Sequence, residues 1–231
     1  MSEKIKNLDE LEQLALSRPK QTVALAAANS EEALLAVEYA RQKGILDAHL
    51  VGDLDLMKPI CEKNGIDLGN YQVTDVKDPK EAAAAAVALI REGKAHLLMK
   101  GLVETSDFLR AVLSNATGIR GTDRMCALVV LECRAVDKLL ILGDVGVNIA
   151  PTLEEKASIL KSCFSVARAM GIKHPKAAVL CANEHIKDRM PCTVDAGKLA
   201  EMARSGEIDC VGGTVDGPIS MDIAVNEHAA R

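Results

Sequence analysis

Charged and hydroxyl-bearing residues are concentrated in a turn that follows a short apolar run at residues 96–99. Lys100 and Gly101 open the turn, and Thr105 and Ser106 follow where a helix is expected to begin. Gly101 permits a sharp change of direction. A helix N-terminus presents free N–H groups, so with flanking hydroxyls and a lysine it can bind an anion. The alternative is that Thr105 or Ser106 only caps the helix.

Three arginines lie downstream in a stretch that otherwise carries little charge: Arg110, Arg120 and Arg124. A guanidinium group binds phosphate oxygens in a planar, bidentate geometry. These side chains are therefore candidates to hold an anion. Most arginines are solvated surface residues, and that alternative stays open for all three.

A second polar segment, residues 143–152, follows an apolar strand-length run and precedes a long helical pattern. Asp144 and Asn148 would be polar ligands if the loop faces a cleft, and Pro151 leads into a helix start at Thr152. A purely connective loop is the alternative. The segment does not match G-x-G-x-x-G, and the chain contains no dinucleotide fingerprint.

A third segment begins at Gly212-Gly213. Because glycine has no side chain, the backbone can approach a ligand closely here. Pro218 suits the first turn of a helix, and Asp222 lies four residues later. Three carboxylates expected near strand ends provide an alternative use, as ligands of Mg²⁺: Asp144, Asp216 and Asp222.

Composition excludes several classes of function. With 2% aromatic residues, no Trp and a net charge of −5, the chain of 231 residues lacks a stacking platform or a basic surface for nucleic acid. Its longest apolar run, residues 82–90, is too short to span a membrane. No secretory signal opens the chain, so a cytoplasmic location is expected. The seven scattered cysteines form no C-x-x-C, which favours buried free thiols over a disulfide framework or a zinc site.

Apolar runs of strand length alternate with helical patterns, which predicts an α/β fold with largely parallel sheets. The expected strands are residues 22–28, 48–51, 71–74, 96–99, 126–131, 139–142, 177–180 and 208–211. One helix is expected to begin after residue 30, and the next is expected to run through residue 60. Three further helices are expected at residues 79–91, 152–170 and 194–204. Residues 126–131 and 139–142 are too close for a crossover and should pair as an antiparallel hairpin. We place a domain boundary near this hairpin, giving an α/β domain at 1–130 and a second at 131–231.

The three polar segments together resemble the phosphate acetyl/butyryltransferase family, and its butyryltransferases most. The family pattern Ser/Lys-Gly-x-x-x-Thr-Ser/Ala-Asp is present at residues 100–107. The pattern small-Asp-x-x-Val-Asn-x-x-Pro-Thr is present at residues 143–152, and Gly-Pro-x-x-x-Asp-x-Ala at residues 217–224. Each motif alone is weak, but three in order across the whole chain form a specific signature.

The resemblance implies a two-domain α/β/α fold related to isocitrate dehydrogenase, with a cleft between the domains. It implies the reaction acyl-CoA + phosphate ⇌ acyl phosphate + CoA, by direct attack of phosphate on the thioester of a short-chain acyl-CoA. No cofactor, metal or covalent intermediate is required, and a homodimer or higher homo-oligomer is expected. The implied phosphate-binding residues are Lys100, Gly101, Thr105, Ser106, Arg110 and Arg124. The implied CoA- and acyl-binding residues are Asp144, Asn148, Pro151, Gly217, Pro218 and Asp222.

The family's catalytic Ser-Arg-x-x-Asp-Ser element lies beyond the position of Arg231, so no catalytic residue is assigned among these 231. The chain is expected to be a fragment, a shortened form or a natural short form. Two other functions stay open. A non-catalytic module would bind acyl-CoA or acyl phosphate without turnover, and a metal-dependent decarboxylating dehydrogenase would use the three aspartates.

Overall fold

The structure, a computed structural model, describes residues 5–121, 124–133, 136, 138–210, 212–226 and 228–229. The chain divides into two compact units, one of residues 15–122 and the other of residues 1–14 with 123–231. The division after residue 122 precedes the predicted boundary at 130/131, because the strand that contains residues 128–130 pairs within the second unit.

Helices and strands alternate along most of the chain, as the apolar pattern predicts. The helices are α1 (Leu8–Leu16), α2 (Glu31–Gln42), α3 (Leu54–Asn64), α4 (Pro79–Arg91), α5 (Thr105–Leu113), α6 (Leu153–Ala169), α7 (Pro191–Ser205) and α8 (Met221–Val225), with a 3-10 turn at Leu68–Asn70. The strands are β1 (Gln21–Ala26), β2 (Leu46–Gly52), β3 (Gln72–Asp75), β4 (Leu97–Lys100), β5 (Leu128–Glu132), β6 (Leu139–Gly143), β7 (Lys176–Leu180) and β8 (Thr214–Ile219).

The first unit is built on a parallel sheet of strand order β3-β2-β1-β4. Side chains of β1 alternate between two cores. Val23 and Leu25 pack with α2 and α3, whereas Ala24 and Ala26 pack with the alanine-rich face of α4. This period-two burial, with helices on both faces, is the three-layer arrangement typical of parallel sheets.

The second unit contains the antiparallel hairpin β5-β6 and the parallel pair β7-β8. The predicted hairpin is confirmed, with Val130 opposite Ile141. Helices α6 and α7 bury Phe164 and Leu199 against Val215 of β8. The expected α/β class, with mostly parallel sheets and one antiparallel hairpin, is confirmed.

The predicted strand at residues 208–211 is wrong for residues 208–210, and residue 211 lies outside the described residues. Ile208 and Cys210 are buried, so the segment is apolar like a buried strand although it forms none. The Ile208 N–H donates to Met202 O of α7 at 3.1 Å, so this segment closes the end of the helix rather than joining a sheet. The strand lies further along, as β8.

Pro218 was expected in the first turn of a helix, and this is also wrong. It lies within β8, next to a register shift in the pairing with β7, and α8 begins after it at Met221. A proline has no N–H to donate to a neighbouring strand, so it is tolerated in a sheet at an edge or an irregularity.

All seven cysteines are free thiols, but only Cys61 and Cys210 are buried. Cys133 and Cys192 are exposed, so the interpretation of the cysteines as buried packing residues is wrong for these two. Within the part of the chain that is described, no helix combines the length and apolar character needed to cross a bilayer.

Candidate functional site

The order of strands in the first unit creates a crevice at the carboxyl edge of its sheet. β1 and β4 are neighbours, but α2, which follows β1, and α5, which follows β4, pack in different cores on opposite faces of the sheet. Beyond these strands the chain therefore continues to helices on opposite faces of the sheet. Such a switch point is where open α/β sheets bind ligands, and the turn at Lys100 lies there.

The backbones of the two loops are in close contact at this edge. The Gly101 N–H donates to Ala26 O at 2.8 Å, and the Leu102 N–H donates to Ala27 O at 2.9 Å. A Cβ atom on Gly101 would lie 2.3 Å from Ala27 O, so only glycine fits. Ala27 itself has a φ of 52°, an uncommon conformation for a residue with a side chain. The glycine is required for the crevice to close at its base.

The first turn of α5 is free of a side-chain cap. Its N-cap residue is Glu104, whose side chain makes no capping hydrogen bond, and Thr105 and Ser106 are the first two helical residues. The alternative that Thr105 or Ser106 caps the helix is therefore wrong. Both are exposed, as is Lys100 at the end of β4, whose Nζ lies 3.5 Å from Gly101 O. This turn combines helix N–H groups, two hydroxyls and an ammonium group in one place.

Arg110 lies one turn further along α5 and is paired with a carboxylate of the same helix. Its guanidinium donates to Asp107 at 2.5 Å, and Lys80 of α4 lies 3.5 Å from the other oxygen of Asp107. The Arg110 side chain is 73% exposed, so its charge is partly neutralised and well solvated. An anion would have to compete with Asp107 for this arginine.

In the second unit, Asp144 organises the loop after β6. One carboxylate oxygen accepts hydrogen bonds from the N–H groups of Ala127, Gly146 and Val147 at 3.0–3.2 Å. The other accepts from the N–H of Asn148 at 2.7 Å and from its side-chain amide. Burial alone would raise the pKa of Asp144, but these hydrogen bonds to the ionised form outweigh it and hold the pKa well below its usual range.

Asn148, placed by Asp144, in turn positions Arg124. The Arg124 Nε donates to the Asn148 side-chain oxygen at 2.6 Å, and its Nη1 donates to Glu155. Glu155 also completes the capping box of α6 with Thr152, whose N–H donates to Glu155 at 2.9 Å. The structure therefore brings Arg124 together with Asp144 and Asn148 in the second unit, where Pro151 directly precedes the cap.

Gly217 lies in β8 beside a groove of about 640 Å³ between β8 and α7. Its position permits close packing on β7, because a Cβ atom there would lie 2.8 Å from the Cβ of Val179. Charged side chains along the groove are Lys198, Glu201, Arg204 and Asp216. This groove adjoins one member of the predicted CoA-binding set.

Asp222 lies in the first turn of α8, where the Ser220 hydroxyl and the Ile223 N–H lower its pKa. It therefore remains ionised, but it does not share a ligand set with Asp144 and Asp216. Among the described residues, no three His, Cys, Asp or Glu side chains are grouped to hold a metal ion. The alternative of a Mg²⁺ site built from the three aspartates is not supported.

Sequence reasoning missed two contributors to these sites. Glu155 is not among the predicted site residues; the spacing Thr152-x-x-Glu155 is the signature of a capping box, but it does not indicate the contact with Arg124. Ala27 carried no signal, because its positive φ follows from packing against Gly101 rather than from its residue type.

A family model described as "Phosphate acetyl/butaryl transferase" matches residues 77–231. A phosphate butyryltransferase of Clostridium acetobutylicum is 42% identical over 227 residues, covering 98% of this chain and 75% of that protein. A phosphate acetyltransferase of Thermotoga maritima is 34% identical over 224 residues, with 97% and 75% covered.

Solved structures give the same picture of the fold. A branched-chain phosphotransacylase from Enterococcus faecalis V583 superimposes with a TM-score of 0.72 at 26% identity, covering 91% of this chain and 72% of that chain. A phosphotransacetylase from Streptococcus pyogenes superimposes with a TM-score of 0.73 over 96% of this chain and 75% of the other. At 16% identity, the second likeness supports the fold alone.

Proposed function

The chain belongs to the phosphate acetyl/butyryltransferase family, and we propose that the uncapped first turn of α5 holds its inorganic phosphate. The activity is transfer of an acyl group between CoA and phosphate. The observation that carries the site assignment is the combination at one sheet edge of exposed Lys100, Thr105 and Ser106 with a helix start that no side chain caps.

The first turn of α5 suits a phosphate ion chemically. Free N–H groups and the positive end of the helix dipole favour negative charge, the two hydroxyls donate further hydrogen bonds, and Lys100 supplies a full positive charge. Gly101 keeps the adjacent strand end close enough for the crevice to form. Arg110 plays a secondary part, because Asp107 already neutralises it.

The reaction then depends on positioning. One phosphate oxygen attacks the thioester carbonyl, the new O–C bond forms, and the C–S bond breaks to release CoA as a thiolate. The carbonyl oxygen becomes an oxyanion on the way and needs N–H or cationic donors. Holding both reactants in attack geometry supplies most of the rate gain. None of these steps changes an oxidation state, so the proposal needs no cofactor.

In the second unit we assign Arg124 to an anionic group of the substrates, phosphate or a phosphate of CoA. Its guanidinium is fixed by Asn148 and Glu155, which lowers the entropic cost of binding phosphate oxygens. The anion would share Arg124 with Glu155, as it would share Arg110 with Asp107. Asp144 is then a positioning residue, since its oxygens are used within the loop. Gly217, Pro218 and Asp222 remain the proposed CoA and acyl contacts, with Pro151 framing the loop.

The substrate preference follows from the relatives and is part of the proposal. The Clostridium acetobutylicum relative, at 42% identity, is a phosphate butyryltransferase, so we propose butyryl-CoA or a similar short-chain ester over acetyl-CoA. We further propose that the enzyme is cytoplasmic and that it is a homo-oligomer. Light scattering of the protein in solution tests the oligomeric state.

Release of free thiol from butyryl-CoA on addition of phosphate tests the activity, in EDTA and without added cofactor. Lys100→Ala should raise the KM for phosphate at least about tenfold, because a charge-assisted contact contributes roughly 1.5–3 kcal/mol. Lys94→Ala is the matched control, an exposed lysine that precedes β4 at the opposite end of the strand. Equal KM values for the two variants would remove Lys100 from the phosphate site. CoA binding by calorimetry without thiol release would favour a binding module, and NAD(P)H production would favour a dehydrogenase.

A further inference from the structure

Two cysteines contact each other where β7 ends and α7 begins. Cys181 directly follows β7, and Cys192 is the second residue of α7. The Cys181 thiol donates to the Cys192 carbonyl oxygen with a sulfur–oxygen distance of 3.3 Å, and, besides burial, the Cys192 side chain is near enough to help raise the pKa of Cys181. Cys181 is half-buried, whereas Cys192 is exposed. The pair therefore combines proximity with access from solvent.

The backbone on both sides of the pair is held in place. The Cys181 N–H donates to Ile219 O of β8 at 2.9 Å. Next to Cys192, the fully buried Thr193 hydroxyl accepts from the Lys187 N–H at 2.9 Å and donates to Met190 O at 2.8 Å. A disulfide requires Cβ atoms about 3.5–4.5 Å apart, and the Cys181 sulfur already lies 3.3 Å from the Cys192 carbonyl oxygen on these held segments.

We propose that Cys181 and Cys192 are a modification site that forms a reversible intramolecular disulfide by exchange with a low-molecular-weight aliphatic disulfide. The Cys192 sulfur, as thiolate, attacks one sulfur of the small disulfide, an S–S bond forms, and one small thiolate leaves. Cys181, after losing its proton to solvent, attacks the Cys192 sulfur and releases the second small thiol. Two protein thiols are oxidised and one small disulfide is reduced to two thiols, so electrons and protons balance.

The order of attack follows from the environments of the two sulfurs. Burial, with a contribution from neighbouring Cys192, raises the pKa of Cys181 to about 11, so this thiol is protonated at neutral pH and acts second. Cys192 is the exposed sulfur that a small disulfide meets first. Once Cys192 is bound in the mixed disulfide, it no longer contributes to the raised pKa of Cys181, which favours closure.

The inference does not depend on the proposed function, although the pair lies one hydrogen bond away from the strand that carries Gly217 and Pro218. The competing pair in the same unit is Cys126 and Cys163. Burial raises the pKa of Cys163 to about 11, with Cys126 adding to the effect. Neither of these two residues is exposed, so we expect them to react later or not at all.

Glutathione disulfide is the probe, applied anaerobically to the full chain at neutral pH. We expect two of the seven thiols to become unreactive and the intact mass to fall by about 2 Da. Peptide mapping should find residues 181 and 192 in one cross-linked species that dithiothreitol reverses. The wild-type protein alone decides this point. Loss of no thiol, a stable glutathione adduct without closure, or a link between Cys126 and Cys163 would each overturn the proposal.

Two variants and a control assign the roles. Cys181→Ser should stop at a glutathione adduct on Cys192, and Cys192→Ser should form neither adduct nor link at Cys181 on the same time scale. Cys133→Ser removes another exposed cysteine of the same unit and should still lose two thiols by closure. If Cys133→Ser abolished closure, the assignment of the pair would be wrong.

Discussion

Asp144 orders its own loop by accepting hydrogen bonds from the N–H groups of Ala127, Gly146, Val147 and Asn148. Each hydrogen bond to an ionised group contributes more than a neutral one, and the set holds the loop around a single charge. The consequence reaches beyond the loop, because the Asn148 oxygen that binds Arg124 is placed by the same carboxylate. Asp144, which was predicted as a substrate contact, thus holds Asn148 and, through it, Arg124 in place.

Asp144→Asn should lower the free energy of unfolding by about 2 kcal/mol at pH 7, because an amide cannot accept the same set of N–H groups. The folded-state pKa lies below the unfolded value of about 3.9. The contribution of the ionised carboxylate is therefore fully present above that value and is lost as the pH falls through the folded pKa. Urea unfolding at several pH values should find the two proteins converging in acid. Asp188→Asn, in an exposed loop of the same unit, is the control, and a pH-independent gap would contradict this account.

Gly101 is the second residue whose type is fixed by geometry. Gly101→Ala would place a Cβ atom 2.3 Å from Ala27 O, and both backbones are held by the hydrogen bonds between β1 and β4. We expect a loss of about 2–3 kcal/mol in unfolding free energy from overpacking, together with a higher KM for phosphate. Gly121→Ala, where an added Cβ has no atom within 4 Å, should change neither. Equal unfolding curves for the two variants would show that the crevice can relax.

At the scale of elements, a cluster of polar side chains fastens α2 to the chain that enters β3. Arg41 donates to Glu38 through Nε at 2.9 Å and Nη2 at 3.0 Å, Gln42 donates at 2.7 Å, and the Tyr71 hydroxyl also donates to Glu38. The hydrogen bonds from Arg41, followed by those from Tyr71 and Gln42, lower the pKa of Glu38 to about 2 against the opposing effect of burial. The Glu38 side chain is 11% exposed, so solvent screens these contacts little.

Glu38→Gln should therefore destabilise the protein by about 2–3 kcal/mol at neutral pH. Because the folded pKa is depressed, this difference should persist above about pH 5 and fade as the pH falls towards 2. Thermal unfolding monitored by circular dichroism measures the difference. Glu62→Gln, on the exposed face of α3, should be nearly neutral throughout. A similar loss in both variants would mean that the cluster adds nothing specific.

Local sequence patterns predicted many helices and strands correctly. They were wrong where an apolar segment is buried without being part of a helix or strand. Helix α4 begins and ends where the sequence predicts, because Asp78 and Pro79 mark its start and its alanines keep a helical period. The strand predicted at residues 208–211 is wrong for residues 208–210, because Ile208 is buried in a loop. The N-cap of α5 could not be read either, since Glu104 occupies it without using its side chain.

For the molecule as a whole, the three motifs predicted the family and the class of reaction, but not which unit holds each candidate residue in place. Arg124 follows the polar turn in sequence, yet the contacts that fix it come from Asn148 and Glu155 of the second unit. The family resemblance implied one phosphate-binding group from Lys100 to Arg124. The hydrogen bonds of Arg124 depend on side chains 24 and 31 residues away, which no local pattern encodes.

Ligand binding should be visible in the stability of the first unit, because a ligand that binds only the folded state stabilises it by mass action. At one hundred times its Kd, phosphate would add about 2.7 kcal/mol, which raises the midpoint of a domain of this size by roughly 10 °C. The measurement is thermal unfolding in increasing phosphate, with chloride at matched ionic strength as the control for screening.

The variants then tell phosphate binding from a general salt effect. Lys100→Ala should need about tenfold more phosphate for the same shift, whereas Lys94→Ala should follow the wild type, because only Lys100 adjoins the open turn of α5. Arg124→Ala separates the two units: if its anion is a phosphate of CoA, the phosphate shift should remain while the shift in CoA is reduced. Should Lys100→Ala respond to phosphate as the wild type does, the start of α5 would not be an anion site, although the fold and the family would stand.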